Sequence, residues 1–220
     1  MTMFEQTQQV EKNGWVLRQR IPKEDGNYPI ILLFHGWTGN EDSMWSFASK
    51  LPNNAILISP RAPFPTQLGG FSWSPQHTGK RSEMTDFEYS AQSILELISP
   101  DFYPAANMNK IGIVGFSQGA ALTYNLVLQY PEIFRYFSGL SGFLPDNISH
   151  FLVGQRLQNT VGFIAHGFKD GIVPVEKARD AARKLQMAGA RIFYCEEDVG
   201  HKLSAGCYRA LRDFFLNEMY

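Results

Sequence analysis

The sequence predicts an α/β fold, in which a mostly parallel central sheet of about seven strands is covered by helices on both faces. Short, β-branched apolar runs alternate along the chain with amphipathic patterns of helical spacing, and this alternation is typical of parallel sheets. Most of the apolar runs lack polar alternation, which favours covered strands over half-exposed antiparallel ones. Sites in such folds lie at the carboxyl ends of the strands. Polar residues that follow a strand are therefore the candidates for function.

The elements can be assigned in order along the chain. Seven segments have the length and composition of strands: GWVLRQR, PIILLFHG, NAILISP, IGIVGF, YFSGLSG, VGFIAHG and RIFYCEE. Five segments have the apolar spacing of helices: residues 41–50, 86–98, 118–129, 175–187 and 203–217. The first of these helices follows Asn40, whose side chain can cap it, and has Glu41 and Asp42 in its first turn, where carboxylates suit the helix dipole.

Composition limits the classes of function. The 220 residues, 44% of them hydrophobic, suit one α/β domain over residues 1–220. A formal net charge of −1 does not indicate a partner such as nucleic acid or an anionic membrane surface. No apolar run reaches the roughly 20 residues of a membrane span, and the N-terminal residues lack a signal-peptide pattern. We expect a cytoplasmic protein that is a monomer or homodimer.

The cysteines and histidines predict neither a disulfide nor a metal site. Cys195 and Cys207 are the two cysteines of the chain. A domain of this length folds without a covalent cross-link, and cytoplasmic thiols are ordinarily reduced, so we expect two free thiols. The chain also lacks zinc-type ligand spacing, a glycine-rich phosphate loop and a dinucleotide fingerprint. No metal and no cofactor are therefore expected.

The motif GFSQG, residues 115–119, contains the candidate nucleophile. It matches G-x-S-x-G, in which a strand turns sharply into a helix and exposes a serine hydroxyl. The backbone of such a serine is strained, and Gly115 and Gly119 give the clearance that the turn needs. The motif alone is weak, but a buried strand precedes it and a helix follows it. We therefore expect Ser117 to be nucleophilic; a glycine turn with an idle serine is the alternative.

A serine hydroxyl needs a histidine base and a carboxylate that orients the base. In this kind of fold they follow the serine in the order Asp, His. Asp170 follows the strand VGFIAHG, and His201 follows RIFYCEE at the start of the last helix. We expect these two residues to complete a triad. The rivals of Asp170 are Glu196, Glu197 and Asp198, for which a solvated run of charges is the simpler interpretation.

The other histidines fit the role of base less well. His35 and His166 lie within or at the end of apolar strands, where a hydrogen-bonded structural role is expected. His77 and His150 precede Ser117 or lie in polar loops.

Two backbone amides are candidates for an oxyanion hole. One is the N–H of Gln118, directly after the serine, and the other is the N–H of Trp37 in the loop FHGWTGNEDSMW. The Trp37 side chain either packs over the strand ends or forms a wall of a substrate groove. Phe71 and Trp73 also suggest an apolar groove, although core packing explains aromatic residues equally well.

Seven motifs together resemble a known family: LFHGWTGN, SPRAP, GGFSWSP, GFSQGAAL, SGLSGFLP, HGFKDGIVPVEKA and DVGHKLS. In this order they resemble the α/β-hydrolase carboxylesterases of the phospholipase/carboxylesterase and acyl-protein thioesterase type. The resemblance covers nearly all of the chain after its first fifteen residues or so. It implies an α/β-hydrolase fold with a Ser117, Asp170 and His201 triad and an oxyanion hole formed by the Trp37 and Gln118 amides.

The resemblance implies a serine carboxylesterase that hydrolyses short- to medium-chain esters, with thioesters as a further candidate substrate. The loop HGWTGN differs from the leucine, glycine and aspartate usual in the thioesterases, and Gly171 follows Asp170. An acyl-protein thioesterase or lysophospholipase is therefore the alternative. Ser117 argues against a relative of the dienelactone hydrolases, which use cysteine, and the length leaves no room for the extra domain of a peptidase. An inactive hydrolase-fold binding protein is the remaining alternative.

The segment FLPDNISHFLVGQRLQNT, residues 143–160, is the position at which lipases of this fold insert a helical lid. Pro145, Asp146 and Asn147 form turns, which leave room for roughly one or two helical turns before the next strand. We expect no large lid or cap domain, and an open site.

Overall fold

A computed structural model describes residues 8–75 and 82–220 of the chain. Its strands are β1 (Gln8–Lys12), β2 (Trp15–Arg20), β3 (Tyr28–Phe34), β4 (Ile56–Pro60), β5 (Phe64–Pro65), β6 (Phe71–Ser72), β7 (Ala106–Phe116), β8 (Tyr136–Leu140), β9 (Val161–Gly167) and β10 (Arg191–Glu197). Eight of them form one sheet in the order β1-β2-β4-β3-β7-β8-β9-β10, and β5 and β6 form a separate two-stranded ribbon. In the large sheet the pairs β1–β2 and β2–β4 are antiparallel, and the other pairs are parallel.

Helices cover both faces of this sheet. They are α1 (Trp45–Ala48), α2 (Glu88–Leu97), α3 (Gln118–Gln129), α4 (Val175–Met187) and α5 (Ala205–Glu218), with 3-10 turns at Met84–Phe87 and Ser149–Leu152. One buried cluster joins the sheet to α2, α3 and α4, and a second joins it to α1 and α5. None of the helices in the described part of the chain is long and apolar enough to cross a membrane. The predicted α/β-hydrolase fold, with a mostly parallel covered sheet, is confirmed.

All seven predicted strands are present, and the sheet has one more at its edge. The extra strand β1, QQVEK, is polar except for Val10, so its sequence lacked an apolar run. The strand β10 was expected to be covered but forms the other edge of the sheet. Phe193 and Tyr194 of β10 are therefore exposed. The apolar and aromatic residues in the middle of an edge strand resemble those of a core strand in sequence, although an edge strand is less buried.

The predicted helix over residues 41–50 is wrong in its first half. The helix α1 begins only at Trp45, and Asn40 instead closes a turn, with its Oδ1 accepting the Asp42 N–H at 3.1 Å. Glu41 is buried, and its carboxylate accepts two hydrogen bonds of 2.7 Å from Arg61. A carboxylate that is drawn inward to an arginine cannot serve a helix N-terminus.

The segment between β8 and β9 contains little helix. Over residues 143–160 the helical structure is the single 3-10 turn Ser149–Leu152. This length agrees with the expected absence of a large lid at this position.

Cys195 and Cys207 form a disulfide, so the expectation of two free thiols is wrong. Cys195 lies on β10 and Cys207 in the first turn of α5, which packs back against the sheet. This return brings the two Cα atoms to 5.8 Å, a separation that a disulfide spans. The spacing of the cysteines in the sequence did not reveal it, because the contact depends on how α5 docks.

His35 anchors the end of β3 from inside the protein. Its Nε2 accepts the Ala62 N–H at 3.1 Å, and its Nδ1 lies 2.7 Å from the Gly36 carbonyl oxygen. Nδ1 therefore carries the proton. The side chain is fully buried, and this burial lowers the pKa of His35 to about 4. A hydrogen-bonded structural role, as the sequence indicated, is what the contacts show.

Removal of the disulfide is expected to destabilise the protein. The bond closes a loop between residues 12 apart in sequence, and loss of such a constraint costs about 3 kcal/mol of unfolding free energy. Urea denaturation of the double variant C195S/C207S measures this loss, and the reduced wild-type protein is expected to match the variant. Reductant should leave the variant unchanged. Two titratable thiols in the unfolded, non-reduced wild-type protein would contradict the bond.

His35 is expected to make the fold sensitive to mild acid. An unfolded histidine takes up its proton near pH 6.5, whereas folded His35 does so near pH 4. The unfolded state therefore binds more protons between these values, and stability falls as the pH is lowered through this window, by about 3 kcal/mol. The variant H35F should be less stable at pH 7, since the Ala62 N–H loses its acceptor, yet its stability should fall less by pH 4.5. Urea denaturation at the two pH values measures the loss of unfolding free energy in each protein. An equal loss in the wild-type protein and in H35F would contradict this assignment.

Candidate active site

Ser117 lies at the turn between β7 and α3 with a left-handed backbone, φ 53° and ψ −114°. Residues other than glycine rarely adopt a positive φ, so neighbouring contacts must hold this conformation. The turn is tightly packed: a Cβ atom on Gly119 would lie 2.2 Å from the Phe34 carbonyl oxygen, and one on Gly115 would lie 2.2 Å from the Gly119 carbonyl oxygen. Only glycine fits at these two positions. The Ser117 N–H donates to the Leu140 carbonyl at 2.8 Å and so ties the turn to β8.

Asp170 and His201 meet at the carboxyl ends of β9 and β10. Asp170 Oδ2 accepts a hydrogen bond of 2.7 Å from His201 Nδ1, and its Oδ1 accepts the N–H groups of Ile172 and Val173 at 2.9 Å each. The Asp170 carboxylate is fully buried, and the His201 side chain is 16% exposed. Since Nδ1 faces a carboxylate, Nδ1 carries the proton of the neutral ring and Nε2 remains free to accept one.

The Asp170 carboxyl stays ionised although it is buried. Burial by itself raises the pKa of the Asp170 carboxyl, but the hydrogen bonds from the Val173 N–H, from His201 and from the Ile172 N–H outweigh it. The net result is that the pKa of Asp170 lies below its ordinary value. A charged carboxylate next to His201 favours a positive charge on the imidazole ring when that ring accepts a proton.

The rival carboxylates are engaged elsewhere. Glu196 accepts a hydrogen bond of 3.0 Å from Arg179 Nε, and Asp198 accepts one of 2.9 Å from Lys169. Glu197 is exposed. The contacts with His201 therefore distinguish Asp170 from these three acids.

The ring of His201 packs against Phe116, the residue before Ser117, with ring centroids 4.9 Å apart. The imidazole thus lies at the end of the strand that carries the serine. Within residues 8–75 and 82–220, the Ser117 hydroxyl makes no hydrogen bond with His201. Hydrogen bonds between a nucleophile and its base are often long without a substrate, so the missing hydrogen bond does not exclude this candidate pair.

The two candidate oxyanion donors come from either side of the serine. A Cβ atom on Gly36 would lie 3.3 Å from Ser117 Cβ, so the loop after β3 runs directly past the serine. The N–H of Trp37 follows in that loop, and the N–H of Gln118 opens α3. Neither amide donates to any acceptor in the part of the chain that the structure describes. Two unused N–H groups next to a serine can bind a negatively charged oxygen.

The Gln118 side chain points away from the serine and holds a neighbouring turn. Its Oε1 accepts the Trp73 N–H at 3.0 Å, and its Nε2 donates to Ser72 Oγ at 2.9 Å and to Ser74 Oγ at 3.1 Å. Sequence analysis missed this anchor, for which the two serines flanking Trp73 are the only signal. The contact fixes the first residue of α3 and therefore the direction of its backbone N–H.

The three aromatic residues proposed for a groove lie in different environments. Trp73 is fully buried and its indole N–H donates to the His35 carbonyl at 2.8 Å, so it belongs to the core. Phe71 is half-buried beneath the Arg61 guanidinium, 4.7 Å from its ring centre. Trp37 is 48% exposed and lines a groove. Of the three side chains, Trp37 alone lines this groove.

This groove has a volume of about 430 Å³ and lies between the loop after β3 and the start of α5. Its walls are mainly apolar and include Trp37, Met44, Phe47, Phe116, Leu203 and Tyr208. Lys202, the residue after His201, adds one cation to the lining. An uncharged chain attached to the reacting carbonyl or to the leaving oxygen fits such a surface.

Two further histidines, His166 and His150, contact groups other than Ser117. His166 is buried behind Asp170, with its Nε2 2.8 Å from the Val173 carbonyl oxygen. His150 stacks on Phe151 in the segment between β8 and β9, with ring centroids 3.9 Å apart. His77 lies outside the described residues.

One group of side chains in the described ranges could present three metal ligands: Cys195, Glu197 and Cys207. Both sulfurs of this group are bonded to each other in the disulfide, which leaves the carboxylate as its free ligand.

Comparison with known proteins gives relatives over most of the chain. Acyl-protein thioesterase 1 of Kluyveromyces lactis is 26% identical over 173 residues, which cover 70% of this chain and 75% of that protein. Carboxylesterase SOBER1 of Arabidopsis thaliana is 28% identical over 193 residues, which cover 80% of this chain and 84% of that protein. The crystal structure of the Bacillus cereus carboxylesterase superposes with a TM-score of 0.79 at 20% identity, covering 93% of this chain and 95% of that one.

A family model also covers most of the sequence. The phospholipase/carboxylesterase model matches residues 19–217, a range that includes Ser117, Asp170 and His201. The chain belongs to the phospholipase/carboxylesterase family of α/β hydrolases.

Proposed function

We propose that this chain is a serine carboxylesterase, which hydrolyses short- to medium-chain carboxylic esters through an acyl-enzyme. The observation that carries the proposal is the 2.7 Å hydrogen bond between Asp170 and His201, whose ring packs against Phe116, the residue before Ser117. Membership in a family whose relatives are named carboxylesterases supports it. We further propose that residues 1–220 act as one domain, as a monomer or homodimer.

The proposed reaction begins with proton transfer. His201 Nε2 removes the Ser117 proton as Ser117 Oγ attacks the carbonyl carbon of the ester, and the N–H groups of Trp37 and Gln118 bind the oxygen that becomes negative. His201 then protonates the leaving alcohol or thiol. A water molecule, activated by the same histidine, attacks the acyl-enzyme and releases the acid. Asp170 holds the tautomer of His201 and stabilises its positive form.

We propose that the site at Ser117 is open and takes small, soluble substrates. The segment over residues 143–160 is too short in helix to cover the site, and the groove beside Trp37 has room for an acyl chain of modest length. An acyl-protein thioesterase is the second candidate, favoured by the Kluyveromyces lactis relative of that name. A lysophospholipase stays a third, since the family model carries phospholipase in its description.

The proposed location is the cytoplasm, where thiols are ordinarily reduced. The disulfide between Cys195 and Cys207 is a bond that this compartment would ordinarily keep reduced.

Loss of the nucleophile or base is expected to abolish turnover. S117A and H201A should each lower kcat on p-nitrophenyl acetate by roughly three orders of magnitude or more, and D170N by somewhat less, because triad residues act as a unit. S93A, a change of a half-buried serine on α2, is the matched control and should keep normal kcat. Labelling by a fluorophosphonate probe should be lost in S117A and kept in S93A. Near-normal turnover by folded S117A would overturn the assignment, and an unlabelled wild-type protein would favour the inactive binding protein.

Activity is expected to need no lipid interface. Rates on tributyrin should saturate smoothly as its concentration is raised through the solubility limit, because no lid must open over Ser117. A chain-length series of p-nitrophenyl esters, run beside acyl thioesters, should give the highest kcat/KM for short or medium chains. A sharp rise in rate at the solubility limit would contradict the open site.

A further inference from the structure

His166 is a buried titratable residue for which the proposed reaction has no role. It is the second-last residue of β9. The loop that follows β9, residues 168–174, carries Asp170 and is called the acid loop. Its Nε2 is 2.8 Å from the Val173 carbonyl oxygen and 3.2 Å from Asp170 Oδ2, and both side chains have no exposed surface. The same Oδ2 atom accepts the hydrogen bond from His201. Two histidines therefore approach one carboxylate oxygen from different sides.

The protonation of this ring follows from its neighbours. A carbonyl oxygen and a carboxylate oxygen are both acceptors, so Nε2 of His166 must carry a hydrogen. On the opposite side of the ring, Nδ1 is buried and has no hydrogen-bond partner among the described residues. Burial of an unpaired nitrogen costs free energy. The orientation of the His166 ring is thus determined by the hydrogen bond that its Nε2–H donates to the Val173 carbonyl.

The charged groups around His166 are few. Asp170 faces it from the acid loop, and Glu196 lies opposite it in the register of β9 and β10. Glu196 is itself bound by Arg179 of α4. The one ionised oxygen within hydrogen-bond distance of the His166 ring, in the described part of the chain, is therefore Oδ2 of Asp170.

We propose that His166 is a positioning residue for the proposed triad: its Nε2–H is hydrogen-bonded to the Val173 carbonyl and, 3.2 Å from Asp170 Oδ2, attracts that oxygen electrostatically, so that Oδ2 stays directed at His201 Nδ1. The two N–H groups that bind Oδ1 fix one oxygen of the carboxylate, and His166 fixes the rotation that places the other. This inference rests on the proposed function. His166 acts through Asp170 and has no contact with a substrate.

Three variants separate positioning from general packing. H166L removes the donor, and H166Q retains an amide N–H at about the reach of Nε2. H166L should lower kcat on p-nitrophenyl acetate by roughly ten- to a hundred-fold with little change in KM, because a small displacement of a catalytic group is costly. H166Q should recover most of that loss. If H166L fails to fold, H166N, whose amide is one methylene shorter, takes its place.

The pH profile supplies a readout that packing alone would not move. Activity of the wild-type enzyme should rise with pH through one acid limb, because a general base acts in its unprotonated form. In H166L the misdirected carboxylate stabilises the imidazolium of His201 less. The acid limb of kcat/KM should therefore move to lower pH in H166L and return to its wild-type position in H166Q. In the double variant H166L/D170N, the two losses in kcat should fall well short of multiplying, since His166 acts through Asp170.

Several outcomes would overturn the inference. One is a folded H166L variant whose kcat and acid limb of kcat/KM are both unchanged. Another is an acid limb of H166L that moves to higher pH. A third is a double variant in which the two losses in kcat multiply. A full kcat in D170N and S117A would instead show that the proposed function has failed. Melting temperatures of all variants identify any loss that comes from unfolding.

Discussion

The site depends on one strained residue, Ser117, whose backbone is held at φ 53° between β7 and α3. An L-amino acid in this region is costly, by about 1–3 kcal/mol, and here the surroundings leave it no alternative. The peptide N–H of Ser117 is bound by β8, and the glycines on both sides touch backbone oxygens so closely that a side chain cannot enter. The turn places Ser117 directly before Gln118, whose N–H is the first of α3.

The sheet order then distributes the other groups around this residue. The strand β3 neighbours β7 on one side, and β8, β9 and β10 follow on the other. The loop after β3 therefore brings the Trp37 amide to one side of Ser117, while the loops after β9 and β10 bring Asp170 and His201 to the other. Because all of these strands are parallel, their carboxyl ends share one edge. Acyl transfer, as proposed here, needs this division between groups that move a proton and groups that bind an oxyanion.

The sequence was sufficient where one strong local preference decided the structure. The apolar runs of β3 and β7 and the turn at Ser117 have no competing conformation, and the positions of Asp170 and His201 follow from the strands before them. It failed where distant contacts decided. Glu41 turns inward because Arg61 lies across from it, Trp73 is buried because Gln118 and His35 bind its backbone and ring, and Cys195 meets its partner only through the docking of α5. None of these contacts has a local signature in the chain.

The chemical claim at the centre of this account is that Ser117 carries the acyl group between the two halves of the reaction. The most direct test is to quench the enzyme during turnover of p-nitrophenyl acetate and to analyse its peptides by mass spectrometry. The account predicts one acetyl group, located on Ser117, which appears within the first turnover and disappears when the substrate is exhausted. Turnover without any acetylated peptide, or with the acetyl group on another residue, would contradict it.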